Sequence, residues 1–289
     1  MTLMNKTHPH HPHSEQIDLT PEAVDRFRSE IYRHYHANPR PLPWRDTEDP
    51  YHILVSEIML QQTRVERVID KYREFLAVFP DVSSLAQAPL RDVLQVWQGL
   101  GYNRRAIALQ ETAKKVVHDF NGILPETVEQ LQTLPGIGAY TAAAIAAFAF
   151  HRPVAFIETN IRTVYIHYFF PDRQKVKDSE IMPLVRTTLD PADPRTWYYA
   201  LMDYGVMLKK TQPNPSRKSA HHSRQSRFEG SDRQIRGKIL RLVLQRPHSK
   251  TEDIFQTLQE DPQRVERILE GLVKEKFLRK QGATYIIAG

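Results

Sequence analysis

The sequence predicts a mainly α-helical protein that ends in a small winged-helix-like domain. Apolar residues recur every three or four positions along most of the 289 residues, which is the spacing of amphipathic helices. Proline and glycine separate these repeats, and almost nothing alternates in the manner of a β-strand before residue 270. The segments 277–280 and 284–287 do alternate, so we expect a terminal hairpin after the last helix.

The first helix is predicted to start at Pro21 with Thr20 as its N-cap, because apolar residues follow at helical spacing through Tyr35. A second helix opens in the same way at Asp49-Pro50. Later helices are expected at about 65–79, 90–97, 103–120, 126–133, 139–150, 160–170, 178–188 and 195–209. The C-terminal part is expected to contain three short helices, at 229–246, 250–258 and 261–275.

These patterns divide the chain into four parts. Residues 1–20 are rich in histidine, proline and polar residues and too poor in apolar surface to fold, so we expect a disordered tail. The clustered histidines of this tail are assigned no metal site. The main helical domain covers 21–208, a basic loop covers 209–228, and the winged-helix-like domain covers 229–289.

Composition excludes several kinds of chemistry. The chain has no cysteine, which excludes disulfides, thiolate nucleophiles, cysteine-bound zinc and iron–sulfur clusters. Its 40 basic and 34 acidic residues leave a net charge of +6, which permits a polyanion as partner. No apolar run is long enough to span a bilayer, and the amino terminus lacks the apolar core of a signal peptide. We therefore expect a cytoplasmic protein without a membrane partner, associated with the nucleoid if the cell is bacterial.

The turn Leu134-Pro135-Gly136-Ile137-Gly138 lies between two predicted helices and precedes a run of small residues. Its two glycines allow a sharp turn and leave backbone amides uncovered just before a helix amino terminus. Such amides favour an anion. The turn therefore either holds a nucleic-acid phosphate or is an ordinary connection between helices.

This turn, with a carboxylate about twenty residues later at Glu158, resembles the helix-hairpin-helix (HhH-GPD) DNA glycosylase superfamily. Three further motifs resemble its MutY-like adenine glycosylase branch: PWR at 43–45, LVSEIMLQQT at 54–63 and WQGLGYNRRA at 97–106. The match covers about residues 24–209. It implies a two-lobed helix-hairpin-helix DNA glycosylase fold, in which a six-helix lobe covers about 52–150. The second lobe combines the N-terminal helix with about 151–208.

The resemblance also implies an activity. Members of this superfamily bind duplex DNA with a lesion or mismatch, turn one nucleotide out of the helix, and break the bond between its base and its sugar. The MutY-like motifs favour adenine opposite oxidised guanine or guanine as the target of a monomeric enzyme. The alternatives are a glycosylase for thymine, uracil or hypoxanthine in mispairs, and a lesion-binding protein without catalysis.

Glu57 is the predicted general acid. Its neighbours Val55, Ile58, Met59 and Leu60 are apolar, so its carboxyl is poorly solvated and its pKa rises. In the resembled adenine glycosylases the matching glutamate protonates the departing purine, and the resemblance implies the same role here. The alternative is a solvated or salt-bridged glutamate on a helix surface.

Glu158 departs from the family pattern, which has aspartate at this position. The resemblance implies a carboxylate that stabilises the developing cationic sugar or activates water. Because glutamate is a poor N-cap, we expect the capping role of the aspartate to be weaker here. Glu57 and Glu158 would share the work as a neutral acid and an ionised carboxylate do in glycosidases.

Tyr140 stands where superfamily members that also cut the DNA strand carry a lysine. That lysine forms a Schiff base with the sugar, which a phenol cannot do. The resemblance therefore implies a monofunctional enzyme with water as the nucleophile and without lyase activity. Tyr140 either lines the base pocket or packs against it.

Two loops are expected at the lesion. The resemblance implies that Gln61 fills the gap left by the flipped nucleotide and that Tyr102 stacks on a base or wedges beside it. The alternatives are an exposed glutamine at a helix end and a tyrosine packed in the core. Arg104 and Arg105, near the same glycine-rich loop, are predicted to contact phosphates.

The segment from residue 209 to residue 227 has no acidic residue. In the resembled proteins the matching segment holds an iron–sulfur cluster through four cysteines, and here Lys209, Ser216 and Ser219 stand in matching places, so no cluster is expected. Its basic side chains are predicted to contact phosphates, the alternative being a solvated linker. These side chains are Lys209, Lys210, Arg217, Lys218 and Arg224.

Two accessory features complete the prediction. Residues 229–289 are too short for the domain with which MutY-like enzymes check the oxidised guanine, and Arg233, Arg236 and Lys238 are expected to contact either DNA or the main domain. The resembled hairpin often binds K⁺ or Na⁺ through backbone carbonyls, so those of Leu134 and Ile137 are candidate ligands. No other cofactor is expected.

Overall fold

The computed structural model describes residues 19–222 and 227–289, and it confirms the mainly helical fold. Most of the predicted tail, with its histidines, and Arg224 in the basic segment lie outside the described residues. The helices of the main domain are α1 (Pro21–Ala37), α2 (Pro50–Leu60), α3 (Val65–Val78), α4 (Val82–Gln87), α5 (Leu90–Trp97), α6 (Arg104–Asp119), α7 (Val128–Leu131), α8 (Ala139–Phe150), α9 (Thr159–Phe169), α10 (Asp178–Thr188) and α11 (Pro194–Thr211).

The first two helices start where the sequence predicts. The Thr20 hydroxyl accepts a hydrogen bond from the amide of Ala23 at 3.3 Å, and Pro21 occupies the first helical position. Asp49 caps α2 by accepting from the amide of Tyr51 at 2.8 Å. In the ranges that the structure describes, no helix is both long and apolar enough to cross a membrane.

Two groups of helices meet at the centre of the main domain. α2 packs against α8, whose residues from Thr141 to Phe148 are all buried, because the small side chains of this run let the two helices approach closely. α11 packs along both α1 and α9 and also contacts α8. This packing brings together the middle of α2 and the start of α8, and it places the start of α9 against the last turns of α11.

The PWR motif anchors the chain segment before α2. Arg45, in a short 3-10 helix at Pro43–Arg45, donates two hydrogen bonds to Asp203 of α11, at 2.7 and 2.9 Å. Arg40 donates a third to the same carboxylate at 2.7 Å, and Asp203 is fully enclosed. These charge-assisted bonds give the motif a structural role.

Three elements before the C-terminal domain were not predicted: α4 and the 3-10 helices at Pro43–Arg45 and Pro215–Lys218. α4 is short, and Asp81 and Ser84 hold its start in a capping box. The described part of the predicted basic loop contains helical structure: α11 continues to Thr211, and a 3-10 helix follows at Pro215–Lys218. Backbone hydrogen bonds then tie this segment to Val176, whose amide donates to the carbonyl of Lys218 at 2.9 Å.

The C-terminal domain has the predicted three helices and a hairpin. Its elements are α12 (Asp232–Gln245), β1 (Ser249–Lys250), α13 (Thr251–Leu258), α14 (Pro262–Lys274), β2 (Leu278–Gln281) and β3 (Thr284–Ile287). The strands form one antiparallel sheet in the order β1-β3-β2, with Lys280 opposite Tyr285. β1 was not predicted because two residues are too short to show an alternating pattern.

Candidate active site

Glu57 lies in the middle of α2 and is 6% exposed. Burial raises the pKa of its carboxyl from the usual 4.5 to about 7. The Tyr140 hydroxyl donates a hydrogen bond to Oε2 at 3.2 Å, which opposes this rise, while the nearby Glu158 adds to it. The carboxyl therefore keeps its proton through part of the neutral range, as a general acid requires.

Tyr140 is the second residue of α8 and faces Glu57 across the contact between α8 and α2. Its ring meets Phe156 edge to face, with 5.7 Å between the ring centroids. Burial and the negative charges of Glu57 and Glu158 raise the pKa of the phenol well above its usual value, so the hydroxyl keeps its proton. Tyr140 is thus a hydrogen-bond donor to Glu57 at the site.

Glu158 is the N-cap of α9, contrary to the expectation that a glutamate would cap poorly. Its Oε1 accepts from the amides of Asn160 at 2.6 Å and Ile161 at 2.9 Å. The extended backbone at Glu158 (φ −116°, ψ 179°) lets the longer side chain fold back over the first turn. Burial raises the pKa of Glu158, while the two amides, Lys209 and Arg162 favour the ionised form.

The structure adds Asn160 to the site and brings Lys209 into it. Lys209 Nζ donates to Asn160 Oδ1 at 2.7 Å, and Asn160 Nδ2 donates to Glu158 Oε2 at 3.3 Å. The side chain of Lys209 thus turns inward from α11, and its predicted phosphate contact stays a prediction. Asn160 has a sequence signal: it lies two residues after Glu158, in the turn that Glu158 caps.

The two glycines of the hairpin turn have different roles. Gly136 has a φ of +75°, and a Cβ there would lie 2.7 Å from the Cβ of Ala108, so conformation and space both require glycine. At Gly138, which precedes α8 without a side-chain cap, a Cβ would meet nothing. The amide end of α8 is therefore open, which suits the predicted phosphate contact. The cation at the carbonyls of Leu134 and Ile137 stays a prediction.

Known proteins are similar to this chain in sequence and in the arrangement of their helices. Residues 55–186 match the profile of the family described as HhH-GPD superfamily base excision DNA repair protein. The adenine DNA glycosylase of Mycolicibacterium smegmatis is 34% identical over 228 residues, which cover 73% of this chain and 78% of that protein. The chain belongs to the HhH-GPD superfamily.

One further sequence relative and one solved structure are also similar to this HhH-GPD chain. The adenine DNA glycosylase of Mus musculus is 36% identical over 218 residues, which cover 71% of the chain and 41% of the mouse protein. The chain thus spans less than half the length of that relative. The structure of a thermostable thymine-DNA glycosylase aligns with a TM-score of 0.62 at 27% identity, covering 68% of this chain and 93% of that one.

The residues at the cluster positions of this HhH-GPD chain do not fit an iron–sulfur cluster. The sequence has no cysteine to supply thiolates. Lys209 is bonded to Asn160, and the Ser216 hydroxyl donates to Asn214 Oδ1 at 2.8 Å. The Ser219 hydroxyl accepts from the amide of His221 at 3.0 Å. The chain's own hydrogen bonds thus hold this segment together.

The two predicted lesion residues lie on neighbouring loops. The Gln61 amide donates to the Thr141 hydroxyl at 3.2 Å, so this side chain is ordered at the end of α2. Tyr102 has a φ of +46°, and its ring lies between the guanidinium groups of Arg105, at 5.4 Å, and Arg233, at 5.7 Å. Tyr102 is half buried and therefore is not packed in the core, which was the alternative to a role at the lesion. Both roles at the lesion stay predictions.

Arg105 differs from its predicted role as a phosphate contact. Its guanidinium donates to the carbonyls of Ile58 and Met59 at 2.9 Å and to that of Gln61 at 2.5 Å, at the C-terminal end of α2. It also donates to the carbonyl of Gly101 at 3.2 Å. A cation at a helix C-terminus is favourable. Arg105 therefore joins the two loops that carry Gln61 and Tyr102 and is occupied by protein carbonyls.

Replacing Arg105 with alanine is expected to lower the free energy of unfolding by about 2–4 kcal/mol, because it leaves several buried carbonyls without a donor. Urea denaturation monitored by circular dichroism measures this change. The neighbouring Arg104→Ala is the matched control: its side chain is 74% exposed, so we expect a loss of at most ~1 kcal/mol. Equal losses for the two variants would contradict the structural role of Arg105.

The remaining predicted phosphate contacts lie at the surface. Lys210 and Arg217 are exposed, whereas Lys218 is half buried and donates to the carbonyl of Pro171. Arg104 pairs with Glu275 of the C-terminal domain at 2.7 Å. Exposed pairs of this kind are weak, so a DNA phosphate can replace the carboxylate. Phosphate binding by these four residues stays a prediction.

The basic residues at the start of α12 contact protein. Arg233 donates to the Tyr102 hydroxyl at 2.7 Å, which agrees with the expected contact to the main domain. Arg236 pairs with Glu275 at 2.6 Å, and Lys238 pairs with Glu260 at 3.1 Å, both within the C-terminal domain. The C-terminal domain thus reaches the Tyr102 loop through Arg233.

The hydrogen bond from Tyr140 predicts a pH effect. Tyr140→Phe removes a donor that favours the ionised form of Glu57, so the pKa of Glu57 should rise further above 7. If Glu57 acts as an acid, the alkaline limb of the rate profile shifts upward by about one pH unit. Single-turnover rates between pH 6 and 9 measure the shift. The control is Tyr51→Phe, whose hydroxyl donates to the carbonyl of Phe79 at 2.9 Å instead; an equal shift there would contradict the assignment.

Proposed function

We propose that this chain is a monofunctional DNA N-glycosylase of base excision repair that removes adenine opposite oxidised guanine or guanine. The observation that carries the proposal is a pair of carboxyl groups, Glu57 and Glu158, that lie close enough to interact electrostatically. Burial raises the pKa of Glu57 to about 7, so this carboxyl can hold a proton near neutrality. Burial raises the pKa of Glu158 as well, but two backbone donors act against that rise and favour its ionised form. Pairs of carboxyl groups with divided roles are the usual machinery for breaking a glycosidic bond.

In the proposed mechanism, Glu57 donates its proton to the flipped base. Protonation lets the base leave as a neutral molecule when the bond from C1′ of the sugar to the base nitrogen breaks. The Tyr140 hydroxyl holds the Glu57 carboxyl in position at 3.2 Å. Since the pKa of Glu57 is about 7, the rate should fall as the pH rises above neutrality.

Glu158 is assigned to the cationic sugar. Positive charge develops on the sugar ring as the base departs, and a nearby carboxylate held at a helix start stabilises it. The oxygen of a water molecule then bonds to C1′, and the proton that this water loses passes to the Glu158 carboxylate and from there to solvent. Because Tyr140 has no amine, no imine forms at this position, and we expect no covalent intermediate to be trapped by borohydride.

The relatives and the surface support duplex DNA as the partner. Two of the similar proteins are named adenine DNA glycosylase, and the open end of α8 after Gly138 suits a phosphate. We propose that the chain acts as a monomer, without an iron–sulfur cluster and with K⁺ or Na⁺ at the hairpin carbonyls. In a bacterial cell it would work at the nucleoid.

A second candidate target is thymine in a mispair. The structural similarity to a thermostable thymine-DNA glycosylase, at 27% identity and 93% coverage of that chain, favours it over uracil and hypoxanthine. The chain's greater identity to adenine DNA glycosylases, at 34% and 36%, makes adenine the leading target.

The test is single-turnover base release from a panel of duplexes at excess enzyme. The panel contains adenine opposite oxidised guanine, adenine opposite guanine, and thymine, uracil and hypoxanthine in mispairs. We expect release of adenine, with an intact strand until alkali is added. Release of thymine alone would replace the proposed target with the second candidate. Tight binding without release from any duplex would identify a non-catalytic lesion-binding protein.

A further inference from the structure

The proposed mechanism does not use Lys209, a cation close to Glu158. Lys209, near the end of α11, is half buried, and its Nζ lies 2.7 Å from Asn160 Oδ1. Asn160 in turn donates to Glu158 Oε2 at 3.3 Å. These two bonds link an ammonium group on α11 to the carboxylate at the start of α9.

The packing of α11 against α9 holds this chain of hydrogen bonds in place. Gly205 lies one turn before Lys209, and a Cβ at that position would collide with the backbone carbonyl of Asn160. The glycine therefore allows α11 to contact the start of α9 directly. Lys210, the next residue, is exposed, so of these two lysines it is Lys209 that points inward.

A half-buried lysine is costly unless a negative charge compensates it. Burial lowers the pKa of Lys209, and the charge of Glu158 acts against this change. The coupling is mutual, since Lys209 favours the ionised form of Glu158. The ammonium and the carboxylate thus stabilise each other in their charged forms.

Other charged and titratable groups also face Glu158. Glu57 from α2 and Tyr140 from α8 lie close enough to interact with it electrostatically, and negative charge on Glu57 opposes that on Glu158. Arg162 of α9 favours the ionised form, but its guanidinium makes a two-pronged pair with Asp178 at 2.7 Å. Lys209 is therefore the cation whose hydrogen bonds lead to Glu158.

We propose that Lys209 is a positioning residue that, through Asn160, keeps the Glu158 carboxylate ionised and in one orientation for base release. The proposal rests on the proposed function. It assigns a role at the site to a residue for which the sequence suggested only a phosphate contact.

The first test compares pH profiles of single-turnover base release for the full chain and its Lys209 variants. Lys209→Gln is expected to move the acid limb upward by about one pH unit, so that the rate on that limb falls about tenfold. Lys209→Arg retains the charge and should restore most of the wild-type limb. Lys114→Gln removes the same charge from an exposed lysine of α6 that pairs with Glu111 at 2.8 Å and has no place at the site; it should leave both limbs in place.

The second test does not depend on activity. In protein labelled with ¹³C-glutamate, the Glu158 carboxyl resonance, identified from the Glu158→Gln spectrum, is titrated by NMR. Lys209→Gln should raise the pKa of Glu158, and Asn160→Ala, which breaks the same link from its other end, should change it in the same direction. The Asn160 variant also replaces the first test if Lys209→Gln fails to fold.

Two results would overturn the proposal. One is an unchanged Glu158 titration in both Lys209→Gln and Asn160→Ala. The other is an equal loss of rate at every pH in Lys209→Gln and Lys209→Arg, which indicates a packing role only. If the wild-type protein releases no base from any duplex, the proposed function fails, and the NMR titration still decides whether Lys209 controls Glu158.

Discussion

Glu57→Gln is expected to lower the single-turnover rate of base release by ~10²–10⁴-fold at pH 6. Glutamine has the shape of the protonated carboxyl and accepts the same hydrogen bond from Tyr140, but it has no acidic proton to give to the base. The measurement is single-turnover base release from the duplex that the wild-type protein cleaves fastest. A variant with the full wild-type rate would remove Glu57 from the acid role.

The same substitution should also make the free energy of unfolding depend less on pH. A carboxyl whose pKa rises from 4.5 unfolded to about 7 folded stabilises the fold fully below pH 4.5, and this contribution of about 3 kcal/mol is lost as the pH rises through 7. Glutamine does not titrate. Urea unfolding at pH 5 and pH 8 should therefore show a smaller loss of stability with pH for Glu57→Gln than for the wild type.

Glu158→Gln is expected to lower the same rate by ~10²–10³-fold, because it removes the negative charge proposed to stabilise the sugar cation. The amide oxygen of glutamine can still accept from the amides of Asn160 and Ile161, so the helix cap is retained. The loss should therefore appear in single-turnover rates and not in the urea midpoint.

Two variants separate charge from capping at Glu158. Glu158→Asp keeps both a carboxylate and a good N-cap, so it should keep most of the rate. Glu158→Ala removes both and should also cost about 1 kcal/mol of unfolding free energy. Full activity in Glu158→Gln, with a loss only of stability in Glu158→Ala, would reduce Glu158 to a helix cap.

Residues whose role follows from local neighbours were predicted well. The apolar neighbours of Glu57 lie within its own helix, so its burial and raised pKa could be expected from the sequence. Thr20 and Asp49 cap the helices that immediately follow them, again through contacts within a few residues. The helical pattern and the turn at Gly136 also depend on residues that are close in the sequence.

Contacts with partners that are distant in the sequence could not be predicted. Arg105 was predicted to bind phosphate because it lies beside a glycine-rich loop, but the C-terminal carbonyls of α2, more than 40 residues earlier, accept its hydrogen bonds. Lys209 looked like the first residue of a basic loop, and the close approach of α11 to α9 turns it toward Asn160. The residues next to Arg105 and Lys209 in the sequence do not indicate either of these partners.

The sequence by itself determined the helical class, the hairpin turn, the absence of thiolate ligands and the carboxyl groups at Glu57 and Glu158. These properties depend on residue identity and on spacing along the chain. Only the tertiary structure decided which basic side chains face the surface and which complete the site, as Lys210 and Lys209 show. The direction of a long charged side chain depends on acceptors supplied by other helices, and packing brings those acceptors within reach.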